Sequence, residues 1–420
     1  MQTPLPAESA RTAAVAPATA GLGVLIFVSI TFGLAFGVYE TLLPLYWDSR
    51  GMSFATMSWI FSLSAIGLFF LRVYVGRLSD VFGRKIFYTG SLVLAAASNL
   101  ATPLLPTVLM QGVLKTAREA SVLVRDAMHS VLLYEQDAAR YTGALGLTRG
   151  AEFACHGLGS LAGGILAVIG AGAAAAAFVD FRTPFVVSGL LIAAGTFAFV
   201  ALYRPALLPA PAGPRGQPLG LRTLFSIDLP PKLWLLVAFG FIFETGLRTT
   251  HCFIMQIYFG RLLADGMGYG PARTILGISV IMLLHRLTSG LPMMIVGPRL
   301  RRNLKAIFVG FVFFEGVALA VTPLFANAWA AIAVWLTHDL LGAGIWSPIH
   351  SSYIQQYSRP ERRGADVSEV LGLAQLGQIL GPLLAGFLLQ ALPVGPFGLG
   401  GPFIVGGAIV ALSALILLKL

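Results

Sequence analysis

Apolar runs of bilayer length recur along the whole chain. The hydrocarbon core of a membrane is about 30 Å thick, so a helix needs about 20 predominantly apolar residues to cross it. Runs of this kind lie at 22–46, 54–78, 85–106, 108–133, 143–170, 183–203, 232–260, 271–296, 304–324, 328–353, 365–391 and 399–419. The pattern predicts an all-α polytopic membrane protein with twelve transmembrane helices.

The composition excludes an ordinary soluble protein. Of the 420 residues, 57% are hydrophobic and 11% are charged, whereas soluble domains carry about 25% charged residues. The net charge of +10 does not indicate nucleic-acid binding, because the excess lies in short loops between apolar runs. It indicates membrane topology and contact with anionic lipid headgroups. Cys155 and Cys252 lie inside apolar runs, so neither is predicted to form an extracellular disulfide.

A proline-rich segment divides the chain into two sets of six runs. Residues 204–231 contain seven prolines and several basic residues, which predicts a cytoplasmic linker. The N-terminal half is then 21–203 and the C-terminal half 232–420. Residues 1–20 lack the basic start and apolar core of a secretory signal, so we expect a disordered cytoplasmic tail.

Basic residues favour one set of alternate loops. This set carries Arg77, Arg84, Lys85, Arg140, Arg204, Arg215, Arg222, Arg299, Arg301, Arg302, Lys305, Arg359, Arg362 and Arg363. The opposite set carries Arg50, Arg182 and Arg261, each near an aspartate in the sequence. The positive-inside rule places the basic loops and both termini in the cytoplasm. We expect the bacterial cytoplasmic (inner) membrane.

The two halves contain internal repeats. Phe32-Gly33-x-x-Phe36 in the first run matches Phe239-Gly240-x-x-Phe243 in the seventh. A constant offset relates the fifth and eleventh runs and pairs Gly150, Gly159 and Gly164 with Gly372, Gly381 and Gly386. Such repeats indicate two pseudo-symmetric six-helix halves.

A charged, glycine-containing stretch separates the second and third runs. It reads Gly76-Arg77-Leu78-Ser79-Asp80-Val81-Phe82-Gly83-Arg84-Lys85. This short connection predicts antiparallel neighbouring helices, and its glycines permit a tight turn. The segment 297–305 resembles it but has no aspartate.

The pattern Gly-x-Leu-x-Asp-x-x-Gly-Arg-Lys resembles the signature loop of the major facilitator superfamily. The resemblance implies a secondary transporter that works by alternating access, with a central cavity between its halves. It also implies a conformational gate formed by Gly76, Asp80, Gly83, Arg84 and Lys85. In this interpretation Asp80 bridges toward the other half, and Arg84 reaches an acidic group such as Asp126 or Glu135.

Ionisable residues inside the fourth and fifth runs are the first group of site candidates. An intramembrane charge costs at least about 2.5–3.5 kcal/mol on insertion scales, so these residues require partners or a watery cavity. Helical rise places Asp126 near the depth of Arg149, and Arg125 near Glu152. The group is either a structural ion-pair ladder or a charged cavity wall or proton relay, and its members are Arg118, Arg125, Asp126, Arg149, Glu152 and His156.

Further candidates lie in the first and seventh runs. Glu40 is a carboxylate among apolar residues, which makes it either a proton or cation carrier or a side chain that snorkels to the outer interface. Glu244, Arg248 and His251 share a helical face, although a Glu–Arg pair four residues apart can simply neutralise itself. Arg286 is interpreted as structural.

Glycines make one side of the fifth and eleventh runs smooth. Gly159 and Gly163 in the fifth run, and Gly381 with Pro382 in the eleventh, predict close helix packing and bending.

The sequence favours transport over catalysis. It contains no phosphate-binding loop and no nucleophile elbow, so we expect neither an enzyme nor a cofactor. The first hypothesis is a proton-coupled transporter of a small organic solute. Glu40, Glu152 and Glu244 are its proton candidates, and Arg118, Arg125 and Arg248 could hold an anionic group.

Two other functions stay open. One is transport of iron or another divalent cation, with Glu40, His156, Glu244 and His251 as ligand candidates. The other is a membrane sensor or assembly factor that does not transport. The expected partners are a small solute or ion, protons and lipid, without nucleic acid, and the chain is expected to be a monomer.

Overall fold

The structure is a computed structural model of a bundle of α-helices. It describes residues 19–136, 141–172, 179–204, 227–296, 300, 302–359, 363–391 and 398–420, and none of these forms a strand. The first half contains α1 (Thr19–Ser49), α2 (Phe54–Phe82), α3 (Arg84–Ala101), α4 (Val108–Gln136), α5 (Tyr141–Ala171) and α6 (Arg182–Leu202). The second half contains α7 (Pro231–His251), α8 (Ile254–Met267), α9 (Pro271–Ile295), α10 (Leu304–Val321), α11 (Ala328–His338), α12 (Gly344–Tyr357), α13 (Arg363–Ala374), α14 (Gly377–Ala391) and α15 (Gly401–Leu417).

The predicted all-α polytopic class is confirmed. Eight segments within the described residues are long and apolar enough to cross a membrane, some of them made of two consecutive helices. The count of twelve spans stays a prediction. Local signals explain several helix starts: Ser53 caps α2 by accepting from the Thr56 N–H at 3.2 Å, and prolines occupy the first turn of α7 and α9.

The same helix pairings occur in both halves. In the first half α1 packs on α5 and α6, and α3 packs on α6. In the second half α7 packs on α13, α14 and α15, and α10 packs on α15. Two further pairings join the halves, α5 with α9 and α2 with α14. The arrangement is therefore two related helix bundles with a pseudo-symmetric interface.

Three predicted continuous spans are interrupted. The run 232–260 is two helices that meet at Cys252 and Phe253, where Phe253 has φ −132° and ψ −14°. The run 328–353 contains a π-helical turn, Asp339–Ala343, in which Gly342 leaves the helical region. The run 365–391 is interrupted at Gln375–Leu376, several residues before the predicted bend at Gly381–Pro382. Apolar patterning does not register such breaks, because both sides of a break stay in the membrane.

The signature stretch is mostly helix, which corrects the prediction of a loop. α2 continues to Phe82 and α3 begins at Arg84. The turn is made by Gly83 alone, whose φ of 92° and ψ of 134° favour glycine. A helix that extends beyond the bilayer ends in polar residues, and in the sequence these residues look like a loop. The predicted tail, residues 1–20, extends two residues too far, because α1 already includes residues 19 and 20.

Parts of two other predictions lie outside the described residues. These are residues 1–18 of the tail and 205–226 of the linker. An ion pair joins the end of the linker to the second half. Arg359 Nη1 lies 2.7 Å from Oδ2 of Asp228 in the linker, and Arg359 Nη2 lies 2.7 Å from Oδ1 of Asp366 on α13.

Candidate functional site

Four charged residues from α4 and α5 form a compact cluster. Arg125 Nη2 donates to Asp126 Oδ1 at 2.7 Å and to Glu152 Oε2 at 2.6 Å. Arg149 Nη1 lies 3.1 Å from Asp126 Oδ2 and 3.6 Å from Glu152 Oε2. The structure thus brings together the residues that helical rise placed at similar depth. Arg125 has no exposed side-chain surface, whereas about a third of the Arg149 side chain is accessible.

Arg118 is enclosed by aromatic rings. Its guanidinium carbon lies 4.9 Å from the ring centres of Phe32 and Phe36, and 5.3 Å from that of Tyr39. Its Nε donates to Asn99 Oδ1 at 3.0 Å. Because Arg118 is fully buried, it braces α1 against α4 in this conformation and does not present its charge to a solute.

Glu40 joins the two halves. Its Oε2 accepts from Arg286 Nη2 on α9 at 2.7 Å and lies 2.8 Å from His156 Nε2 on α5. Glu40 does not snorkel to an interface, since both partners lie in the middle of their helices. The interpretation of Arg286 as a lone structural charge missed this contact.

The backbone of Glu40 is held by the second half as well. Pro44 lies inside α1 and has no N–H, so the Glu40 carbonyl lacks its helical donor. Gln256 Nε2 on α8 donates to this carbonyl at 3.3 Å. The carboxylate and the backbone carbonyl of Glu40 therefore each make a contact that exists only while the halves are together.

Glu244 and Arg248 form a second polar group on α7. Arg248 Nε lies 3.2 Å from Glu244 Oε2, and Gln378 Nε2 on α14 donates to the same oxygen at 3.0 Å. Roughly a third of the Arg248 side chain and a quarter of the Glu244 side chain are accessible. The predicted polar face of α7 divides here, because His251 turns toward α11 and contacts His338 instead.

A third charged pair lies on α4. Glu119 is paired with Lys115, which lies 4.5 Å from the ring centre of Phe61. Charged side chains inside a transmembrane bundle need such partners or water, since lipid would not solvate them.

The metal-ligand candidates do not converge on one point. Glu40 and His156 touch each other, whereas Glu244 pairs with Arg248 and His251 pairs with His338. Arg286 and Arg248 lie against the two carboxylates and would repel a cation. A different group converges instead, namely His285, His338 and Asp339. Sequence reasoning left this group out of the site, although all six histidines lie within apolar runs.

The residues assigned to the gate have separate roles where they are described. Lys85 Nζ donates to the Tyr203 carbonyl at 2.9 Å, at the end of α6. Lys305 Nζ donates to the Leu418 carbonyl at 2.8 Å, at the end of α15. Each lysine thus satisfies a helix C-terminus within its own half. Asp126 pairs with Arg125 and Arg149, and the side chains of Asp80 and Glu135 lie outside the described residues.

The repeated glycines mark close helix contacts. A Cβ on Gly159 would lie 2.0 Å from the Leu34 carbonyl oxygen, and one on Gly163 would lie 3.3 Å from Val38. A Cβ on Gly381 would lie 2.5 Å from Arg248 Cβ, so this glycine packs α14 on α7 as Gly159 packs α5 on α1.

Two further glycines join the halves. A Cβ on Gly164 would lie 2.8 Å from Ser279 Cβ, and one on Gly386 would lie 2.8 Å from Ser58 Cβ. Both contacts lie toward the end of the bundle where α1 ends and α2 begins. Phe253 adds ring contacts there, at 6.2 Å from Phe54 and 5.8 Å from Phe61. The halves are therefore closed together from this end to about the middle of the bundle.

Comparison with known proteins agrees with this architecture. A family model described as Major Facilitator Superfamily matches residues 25–124. The comparison with curated protein sequences finds no match. Several solved structures are similar over nearly the whole chain.

Three of these structures illustrate the likeness. The nucleoside transporter NupG has a TM-score of 0.74 at 12% identity, covering 95% of this chain and 98% of that one. The human organic anion transporter MFSD10 (TETRAN) has a TM-score of 0.70 at 15% identity, covering 96% and 100%. An inward-facing, occupied bacterial homologue of the human lysosomal transporter Spinster has a TM-score of 0.67 at 13% identity, covering 95% and 94%. At such identities the likeness shows the fold.

Two related helix bundles that enclose charged residues are the architecture described for secondary membrane transporters. Residues 25–124 carry the sequence match to the Major Facilitator Superfamily, and the chain shares the fold of these solved transporters.

Proposed function

We propose that this protein is a proton-coupled secondary transporter of a small organic solute. The observation that carries the proposal is the position of Glu40, whose Oε2 contacts Arg286 of the other half and His156 of its own half. At this position, the protonation state of the carboxylate affects how easily the two halves separate.

The coupling follows from charge balance. Ionised Glu40 attracts Arg286 and favours the closed arrangement. A proton taken up by Glu40 removes this attraction, so the halves separate at a lower cost. When they close again, Arg286 favours the ionised carboxylate, and the proton leaves. His156 Nε2 is the neighbouring group that can exchange this proton.

The solute is proposed to carry an anionic group. Arg118 and Arg125 are unsuitable to bind it, because both are fully buried. Arg149 and Arg248 are better placed, one in each half, since each keeps about a third of its side chain accessible. A solute held between them would contact both halves, as alternating access requires.

We further propose that the closed end is the outer face and that both termini are cytoplasmic. The bias of basic residues toward the opposite set of loops supports this orientation. In that orientation the cavity opens to the cytoplasm.

Purified protein in liposomes tests the proposal. A thermal-shift screen of organic anions first finds a solute that stabilises the protein. We then expect the wild type to accumulate this solute when a pH gradient is imposed, and Glu40→Gln to exchange solute without accumulating it. Glu315→Gln is the control, because the Glu315 carboxylate of α10 accepts from Trp346 Nε1 of α12 within the same half. Undiminished pH-driven accumulation by Glu40→Gln would refute this role of Glu40.

A further inference from the structure

Three histidines and an aspartate meet inside the second half, beside the break in the tenth span. The ligand atoms of His285, His338 and Asp339 lie within 4.8 Å of one another. His251 Nε2 lies 3.1 Å from His338 Nε2. His285, His338 and Asp339 are all buried. The cluster draws on α7, α9, α11 and the π-helical turn that begins at Asp339.

The hydrogen-bond partners define the tautomer of His338. Its Nδ1 contacts the Trp335 carbonyl oxygen, which can only accept. Nδ1 must therefore carry the hydrogen, and a neutral ring has its lone pair on Nε2.

His251 has the same tautomer. Its Nδ1 lies 3.3 Å from the Leu247 carbonyl oxygen and 2.5 Å from Thr250 Oγ1. The Thr250 hydroxyl donates to the Leu247 carbonyl at 2.8 Å, so its oxygen accepts from His251. His251 Nδ1 therefore also carries the hydrogen, and its lone pair is on Nε2.

Two nitrogen lone pairs thus face each other at 3.1 Å. They repel each other in a buried setting, where water does not screen them. A cation between them removes the repulsion. Asp339 adds negative charge at the same point, since its Oδ1 lies 3.6 Å from His338 Nε2 and its Oδ2 contacts His285 Nδ1.

The separation of the two imidazole nitrogens, 3.1 Å, fits a metal ion. Zinc–nitrogen bonds of about 2.0–2.1 Å at a tetrahedral angle place two nitrogens roughly 3.3 Å apart. Histidines that bind metals usually donate their other ring N–H to a backbone carbonyl or carboxylate, as His338 and His251 do here. Imidazole and carboxylate ligands together suit divalent first-row metals.

We propose that His251 Nε2, His338 Nε2 and Asp339 form a buried site for a divalent transition metal of the zinc type, with His285 Nδ1 in contact with the Asp339 carboxylate as its outer partner. The site is separate from Glu40 and from the solute-binding arginines, so it goes beyond the proposed transport function. A metal here links α7 and α9 to the break in the tenth span. It acts as a resident brace of the second half.

Metal titration of the full-length protein in detergent tests the site. After treatment with a chelator, calorimetry with Zn²⁺ should give one tight site per chain. Co²⁺ should give the visible d–d absorption of a tetrahedral nitrogen and oxygen site. Thermal unfolding should shift to higher temperature when Zn²⁺ is added. Absence of binding in the wild type would overturn the proposal, and would indicate that a proton is shared between the two imidazoles.

Variants locate the binding. His338→Gln and Asp339→Asn should each weaken Zn²⁺ binding at least tenfold, and so should His251→Gln at the more exposed edge of the cluster. His350→Gln is the matched control, because His350 packs between Phe239, Phe308 and Trp346 of the same half. His156→Gln is a second control for the Glu40 contact. Equal binding in the cluster variants and both controls would show that the metal binds elsewhere. These measurements need no transport, so they are independent of the proposed function.

Discussion

Glu40 Oε2 lies 2.7 Å from Arg286 Nη2, and this ion pair crosses the interface between the halves near the middle of the bundle. Because the partners belong to different halves, the ion pair exists only while the halves are together at this depth. The Glu40 carbonyl has no helical donor because of Pro44, and it accepts instead from Gln256, which like Arg286 belongs to the second half.

The ion pair predicts that Glu40→Gln weakens closure. A hydrogen bond to a charged group contributes about 1.5–3 kcal/mol, which corresponds to a shift of roughly tenfold or more toward the separated state. Cys252 is a natural reporter of this separation, because it is buried next to Phe253 at the closed end. In a Cys155→Ser background, we expect Cys252 to react about tenfold faster with a soluble maleimide. Glu244→Gln should leave the rate unchanged, and equal rates in both variants would contradict the prediction.

The glycine contacts between the halves predict a similar effect from added bulk. Gly386→Ala places a methyl group 2.8 Å from Ser58 Cβ, and Gly164→Ala does the same against Ser279. Overpacking costs about 1–3 kcal/mol, so each variant should raise Cys252 labelling by roughly tenfold. Gly90→Ala and Gly310→Ala are controls, since a Cβ at either position meets nothing within 4 Å. If both interface variants were labelled at the wild-type rate, Ser58 and Ser279 would have made room for the added methyl groups without a cost in free energy, and the prediction would be wrong.

The charge cluster of α4 and α5 predicts a loss of stability. Glu152→Gln leaves the buried Arg125 with only part of its counter-charge. Breaking a buried pair costs about 3–5 kcal/mol, and we expect the lower end because Asp126 still contacts Arg125. Unfolding in detergent measures the change. Asp126→Asn should cost less, because Asp126 is more exposed than Glu152; the reverse order would contradict this account.

The two lysine caps predict effects of matched size. Lys85→Met and Lys305→Met each remove a cation from a helix C-terminus, which contributes about 0.3–1 kcal/mol. Unfolding free energies should fall by similar amounts in the two variants and by their sum in the double variant, because the two lysines contact different helix ends in different halves. A large loss of transport with unchanged stability in Lys85→Met alone would instead assign Lys85 to the gate.

Much of the fold could be predicted from local patterns. Apolar runs gave the helices, and the constant offset between Gly159 and Gly381 matched their equivalent packing against α1 and α7. Depth counting along α4 and α5 placed Arg125 near Glu152, because both helices are regular there. These signals are periodic, so they can be read along one chain.

The remaining features depend on which helices meet. Glu40 and Arg286 lie 246 positions apart, and no local pattern joins them. His285, His338 and Asp339 meet only because the tenth span breaks at a π-helical turn, and that break has no proline to mark it. Arg261 illustrates the same limit: the nearest aspartate in the sequence is Asp265, but Arg261 Nη2 lies 3.3 Å from Asp48 Oδ2 of the other half.

The two glycine–serine contacts give the interface between the halves the character of a symmetric dimer. Gly164 of one half meets Ser279 of the other, and Gly386 meets Ser58 in return. In a homodimer, the same contact occurs twice, once for each subunit, so every substitution changes both copies together. A single chain carries the two copies as independent positions, so selection can adjust the strength of closure in two steps and leave Arg149 and Arg248, the arginines proposed to bind the solute, unchanged.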